Sequence, residues 1–513
     1  MSLSRVKISK RKIKNVKARR DVKRKRAKKM QSNMDARWKE HQKYIESRKT
    51  EQWILDAKKS FDWFLEIMGE SEWDKRKKSV VAYFKKQQMS FFPEEGKKRE
   101  ELSESEKRIA YHQDWIAWYM YLVESLYHRP YVNEASQSCR IYPFFCAFGR
   151  HIDMVKSISG IDAKLIELLR GKNNQPDSIL FEISVALMYA RNGWDVSFIP
   201  ETADKKTPDI LVEKDGNQFF VECKRQAKVT EYSETERKEW NRRWDILVQA
   251  MAAFKIPTFM DVTFKVEVAE TPLTILASAF AEIARNEMIS SGYTLENDQV
   301  SVSVDFINMP AVNKHFEDFQ VSWNSPQMVA LFAGDYERNG SYTQVHSPKG
   351  VNAVGPDDEE HILNLFCTGV YSAYCAKWEC LSDTAIDKKA KDVRKLLGKA
   401  IDQAPDEGNT IVHIAYETLH GPLVEFERHK KIANSINSFD YKSKNVKAVF
   451  CHALQPSVGP EESEWAETTM RFGRDGIDLA KILPNDLLLD ESATKIANET
   501  HWYQDLNSMV TGA

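Results

Sequence analysis

The stretch PDILVEKDGNQFFVECKR, residues 208–225, constrains this chain more than any other. Asp215-Gly216 sits between two runs rich in Val, Ile, Leu and Phe. Such a dipeptide between β-rich runs is a strong hairpin signal of the type I′ kind, because both turn positions need positive φ. With those two residues as the turn, Lys214 faces Asn217, Val212 faces Phe219 and Asp209 faces Glu222. The hairpin therefore sets two carboxylates side by side, with Cβ atoms about 5 Å apart.

Like charges directly opposite destabilise a sheet, so this pair needs compensation. Hard divalent cations take carboxylate oxygens and would supply it. Strand alternation places Glu222 and Lys224 on one face, about 7 Å apart, and Cys223 on the other. Upstream, DSILFEISVALMYARNG (residues 177–193) reads as a helix closed by Gly193. Ile179, Glu182, Ile183, Ala186 and Tyr189 share one of its faces. Glu182 thus lies on an apolar stripe, where a carboxylate is costly unless paired. The hairpin face near Lys224 is the expected partner.

Glu182, Pro208-Asp209 and Glu222-Cys223-Lys224, set on a helix–strand–strand–strand–helix order, resemble the PD-(D/E)xK nuclease superfamily. The resemblance covers residues 170–255. It implies an α/β (α+β) restriction-endonuclease-like fold, a mixed sheet flanked by helices, here preceded by a helical N-terminal region. It implies that Asp209 and Glu222 bind Mg²⁺, for which Mn²⁺ substitutes, helped by the Cys223 carbonyl. Lys224 would orient or activate the attacking water, and Glu182 would complete the catalytic set. A metal suits this chemistry as Lewis acid, source of a nucleophilic water and template. The implied function is a metal-dependent endonuclease acting on DNA, with restriction or anti-phage defence as the setting by analogy. Related nucleases often act as homodimers. The other reading is a nucleic-acid-binding or scaffold protein on an inactive nuclease-like fold. Arg225, Lys228, Arg237, Lys238, Arg242 and Arg243 follow the hairpin as phosphate contacts or as a solvated face.

Charge distribution adds to the nucleic-acid reading. Residues 1–30 hold 15 Lys or Arg and one acid, Asp21, although the 513-residue chain has a formal net charge of −1. Such an arm reads as a disordered solvated tail, a phosphate-binding segment or a membrane-surface segment. The 7 cysteines are irregularly spaced with no CxxC pair, which disfavours a zinc site or disulfide framework. Reduced thiols point to the cytoplasm. No apolar run reaches roughly 18 residues, so no membrane span is expected, and nucleic acid rather than a membrane is the expected partner. No phosphate-cradling GxxxxGK[ST] loop occurs.

The remaining chain divides into a basic arm (1–32), a helical region (33–165), a nuclease domain (166–455) and a C-terminal extension (456–513). Ser103 and Glu106 fit a capping box ahead of the aromatic helix DWIAWYMYLVESLY. Its Trp115, Trp118, Tyr119 and Tyr121 read as core. Two continuations of the sheet are open after the hairpin. One uses FMDVTFKVEV (259–268) next; the preferred one uses TIVHIAYE (410–417), after a helix over 387–405, and makes 256–384 an insertion. The Gly- and Pro-bearing stretch 334–360 reads as a long loop. His413, His420 and His452 occur singly and read as core residues.

Overall fold

The computed structural model describes residues 39–40, 42–91, 114–129, 134–170, 176–200, 207–226, 230–285, 293–323, 325–338, 340–353, 365–461, 463–489 and 501–511. The chain falls into two compact units, residues 1–55 and 56–513. In the first, the described part is helical over 42–48 and includes the start of α1 (Gln52–Met68). Everything below concerns the second unit.

Helices α2 (Glu70–Phe91), α3 (Trp115–His128), α4 (Ala135–Arg150), α5 (Ile152–Ser157), α6 (Ile161–Arg170) and α7 (Pro176–Arg191) precede the first strand. The Asp114 carboxylate starts α3 by accepting the Ala117 N–H at 3.2 Å. Trp118, Tyr119 and Tyr121 are buried, so the aromatic side of α3 is core. Gly149 is required by close packing. A Cβ there would lie 1.7 Å from the Asp56 carbonyl oxygen, so only glycine lets α4 approach that backbone.

Strand β1 (Asp195–Phe198) leads to the hairpin β2 (Ile210–Lys214) and β3 (Asn217–Arg225). Asp215 and Gly216 have φ of 50° and 75°, as a type I′ turn demands. Lys214 pairs with Asn217, Val212 with Phe219 and Ile210 with Val221. This is the register read from the sequence.

Helix α8 (Glu231–Phe254) then leaves this sheet for another. Strands β4 (Thr258–Phe264), β5 (Tyr293–Glu296), β6 (Val300–Phe306), β7 (Val321–Ser322), β8 (Ser341–Pro348), β9 (Val351–Ala353), β10 (Leu365–Cys367) and β11 (Val370–Cys380) form two further sheets, ordered β5-β6-β4-β11-β8 and β7-β10-β9. Helices α9 (Ile275–Arg285), α10 (Met309–Asp318) and α11 (Pro326–Ala333) lie between them in sequence. Trp240 and Trp244 of α8 pack into the core of the five-stranded sheet. Trp240 stacks on Trp378 of β11 with ring centroids 5.0 Å apart and planes 9° apart.

The chain returns through α12 (Asp383–Lys389) and α13 (Arg394–Gln403) to β12 (Thr410–Glu417), α14 (Pro422–Asn437), β13 (Val446–Val458) and β14 (Ser463–Gly473). The first sheet is thereby six-stranded, ordered β1-β2-β3-β12-β13-β14, and the molecule is mixed α/β. Strand β12 runs parallel to β3, so the later of the two continuations is the one beside the hairpin. Leu397 and Ile401 of α13 and Ile432 and Ile436 of α14 pack on Val412, Ile414 and Val449 on one face. Helix α7 covers the other. There Tyr189 Oη lies 3.0 Å from His413 Nε2, and His413 Nδ1 lies 2.9 Å from His452 Nε2. Burial lowers both histidines, His452 to about 4. They are neutral, hydrogen-bonded core residues.

The structure departs from the sequence reading in four places. Residues 341–353 of the expected loop carry β8 and β9, and β8 pairs with β11. The helix expected over 387–405 is broken between Lys389 and Arg394. Side chains take over its carbonyls: Lys431 Nζ donates to Asp387 O at 2.7 Å and Arg428 Nη2 to Lys389 O at 3.2 Å. The boundary at 165 does not separate two bodies, since Phe144 of α4 packs on Trp465 of β14 with centroids 6.0 Å apart. The boundary at 455 fails because β14, beyond it, pairs along β13 and covers an edge that would otherwise stay open. The basic arm and the Ser103–Glu106 capping box lie outside the described residues. No helix among the described residues is long and apolar enough to cross a membrane.

Gly216→Val forces a β-branched residue to positive φ. It is expected to cost about 1–2 kcal/mol, read from the urea unfolding midpoint, and an unchanged midpoint would contradict the turn assignment.

Candidate active site

The ladder between β2 and β3 stops at Ile210↔Val221, one residue short of Asp209. The freed Cys223 N–H finds another acceptor. It donates to Asp209 Oδ2 at 2.7 Å. In a strand the N–H and C=O of one residue point to the same side, so the Cys223 carbonyl also faces the gap beyond β2. The Cys223 thiol lies on the α7 face, level with His413. Burial and the charge of Asp209 push that thiol far above its usual range, so it is a core group and not a thiolate ligand.

Glu222 and Lys224 share the opposite face, as alternation requires, and are ion-paired through Glu222 Oε1. The Glu222 side chain is 0% exposed. Its Oε2 is buried and makes no hydrogen bond. A buried carboxylate oxygen left in this state is costly. Burial, and then the charge of Asp209, push Glu222 up to about 9 against the pull of Lys224. Burial opposes the Lys224 charge, but Glu222 and Asp209 hold that ammonium above its usual range. The stable charge pattern is one cation over acids that resist full ionisation together.

Glu182 comes to this cluster from α7. Burial, then the charge of Asp209, push it up to about 7. Glu182 also raises Glu222, so all three acids sense one another. Its ion-pair partner is not Lys224, which corrects the sequence expectation. Lys164 of α6 holds Glu182 Oε2 at 2.9 Å and Glu167 Oε2 at 3.0 Å. Burial would lower the Lys164 ammonium, but Glu182 and Glu167 carry it above the usual lysine range. Sequence reading passed over Lys164, although a signal was present. It occupies a position on the apolar stripe formed by Ile161, Leu165, Leu168 and Leu169, as Glu182 does on its own helix.

The flanking basic residues divide. Arg225 is buried and bonds Glu417 Oε1 at 2.8 Å, with Arg140 on the other oxygen. Arg243 is buried and donates through Nε to Thr271 Oγ1 at 2.8 Å. Neither is available to a polymer, contrary to expectation. Arg237, Lys238 and Arg242 are exposed, and Lys228 lies outside the described residues.

The donor set suits a hard cation: two neighbouring carboxylates, a carbonyl facing the same gap and an orphaned buried carboxylate oxygen. The arrangement is not closed around one, however. Among the described residues no three His, Cys, Asp or Glu side chains are grouped to hold a metal ion. Lys224 and Lys164 hold two of the acids instead. Comparison of the chain with models of protein families, with curated proteins and with solved structures finds no match.

Folded Glu222 titrates well above its ordinary value of 4.5. The neutral form is therefore favoured in the folded chain, and stability is lost as pH rises toward about 9. Glu222→Gln should flatten that loss, seen as a smaller fall in melting temperature from mildly acid to mildly alkaline pH. An identical fall in both proteins would contradict the burial assigned to Glu222.

Proposed function

We propose that the protein is a metal-dependent endonuclease of the PD-(D/E)xK type that hydrolyses phosphodiester bonds of DNA. One observation carries the reading. Asp209 and Glu222 meet at the open end of a hairpin, Lys224 lies one step along the Glu222 face, and burial together with the neighbouring acid charges raises the pKa values of Glu222 and Glu182. Clustered perturbed acids beside a lysine are what metal-assisted phosphoryl chemistry uses. The sheet order supports a restriction-endonuclease-like fold. Three antiparallel strands, β1 to β3, continue in parallel into β12, with α7 on one face and α13 on the other.

In this reading Asp209, Glu222 and the Cys223 carbonyl hold Mg²⁺ or Mn²⁺. The cation, when bound, supplies Lewis acidity and a more acidic water. The chain's own residues do the rest. Lys224 stays cationic and faces the charge that grows on the phosphate oxygens. Glu182, raised to about 7, would accept a proton near neutral pH. Lys164 fixes the Glu182 carboxylate, and the Cys223 N–H fixes that of Asp209. Water adds to phosphorus, one ester P–O bond breaks, the water's proton passes to the base, and the leaving alkoxide takes a proton from solvent.

A second reading has its own support. With the lysines on the acids and no assembled metal group among the described residues, the fold would serve nucleic-acid binding without cleavage. Supercoiled plasmid with Mg²⁺ or Mn²⁺ separates the two. The nuclease reading expects nicking that falls by about 10²-fold or more in Asp209→Ala and Lys224→Ala, with the melting transition retained. Equal nicking by both variants, or none by the wild type, would contradict it.

A further inference from the structure

The break between α12 and α13 opens a cleft that the catalytic reading does not use. Its volume is about 490 Å³, and it lies between the α12–α13 junction and α14. Four cations line it, Lys388, Lys391, Arg394 and Lys431, against two acids, Asp387 and Asp392. The remaining lining is mostly polar, with Asn434, Ser435 and Ser438. Small-molecule sites are enclosed and mostly apolar. This cleft has neither property. Open, polar and net cationic, it suits the sugar-phosphate backbone of a nucleic acid.

Its cations are not equivalent. Lys388 pairs with Glu267 at 2.9 Å and Lys431 with Asp387 at 2.7 Å. Lys391 and Arg394 are exposed and flank Asp392. Both Asp392 oxygens are engaged locally: Oδ2 accepts from Ser435 Oγ at 3.1 Å, and Oδ1 accepts the Arg394 N–H at 3.1 Å. That carboxylate is therefore held between the α12–α13 turn and α14, and Lys391 and Arg394 stay exposed, with Arg394 Nη1 donating to Ser438 Oγ at 3.5 Å.

The cleft is also tied to the candidate active site. Gln226 Nε2 donates to the Asp392 carbonyl at 3.1 Å, and Gln226 lies just past the end of β3, two residues beyond Lys224. A backbone seated in the cleft would continue along the α13 side of the sheet, the side that carries Glu222 and Lys224.

We infer that the α12–α13–α14 cleft is a nucleic-acid backbone site, with Lys391 and Arg394 as its phosphate contacts. The inference rests on the nuclease reading for its substrate class. Its test is binding by the full-length Asp209→Ala chain, titrated onto a fluorescent DNA duplex across a range of NaCl concentrations. Lys391→Glu with Arg394→Glu should weaken binding about tenfold or more and lower the salt slope by about 2. Lys430→Glu, on the same α14 but outside the cleft, should leave both unchanged. If the double reversal unfolds the chain, Lys391→Gln with Arg394→Gln should still lower the slope. Unchanged affinity and slope would overturn the inference, as would an equal loss with Lys430→Glu. A loss confined to vesicles of anionic phospholipid would overturn it too. Failure of the nuclease reading is read separately: a wild type that never nicks DNA, while the reversal still weakens binding, leaves the cleft standing.

Discussion

The β2–β3 ladder ends one residue before Asp209, and the chemistry of the site depends on that stop. Had pairing continued, the Cys223 N–H would have been spent on a strand carbonyl. It instead takes the Asp209 carboxylate, which draws that acid in against Glu222. The gap also lets Glu182, from the helix on the other face, feel the same charges. Crowding of three partly or fully buried acids is unfavourable by itself. Two lysines from different elements offset part of it, and one oxygen of Glu222 remains uncompensated. A fold that keeps such a cluster carries a cost that packing elsewhere must cover, as is common where sites are built.

The surrounding architecture is organised to hold that hairpin rigid. Strand β12 lies in parallel against β3, and helices α13 and α7 cover the two faces. The buried chain from Tyr189 through His413 and His452 to Thr469 satisfies its polar groups internally and fixes α7 against the sheet. The second sheet, from β4 to β11, has its own core around Trp240, Trp244 and Trp378 and leaves the first sheet's strand order undisturbed.

Legibility in the sequence followed the range of the forces involved. The Asp-Gly turn is a local signal, so the register of β2 and β3 could be read directly. Strand β12 also stood out, as a short apolar run preceded by a helix with an apolar stripe. Strand β11 did not. Its run VYSAYCAKWEC alternates only over its last five residues, because the middle of the strand is central and buried on both sides. The partner of Glu182 was hidden for a different reason. Periodicity identifies a charged residue on an apolar stripe but cannot say which other stripe meets it, so Lys164 emerged only with the packing of α6 on α7. The helix break at 390–393 is held by Arg428 and Lys431, side chains some forty residues away, as well as by the local Asp392 carboxylate that accepts the Arg394 N–H.

The central claim is that the acids around Asp209 form a cation site. Isothermal titration of Mg²⁺ into the wild type, in buffers of different ionisation enthalpy, tests it most directly. Because Glu182 and Glu222 are raised to about 7 and about 9, a bound cation must displace protons near neutral pH. The account predicts one binding event accompanied by proton release, and its loss in Asp209→Ala. Binding without proton release, or binding that survives Asp209→Ala, would contradict it.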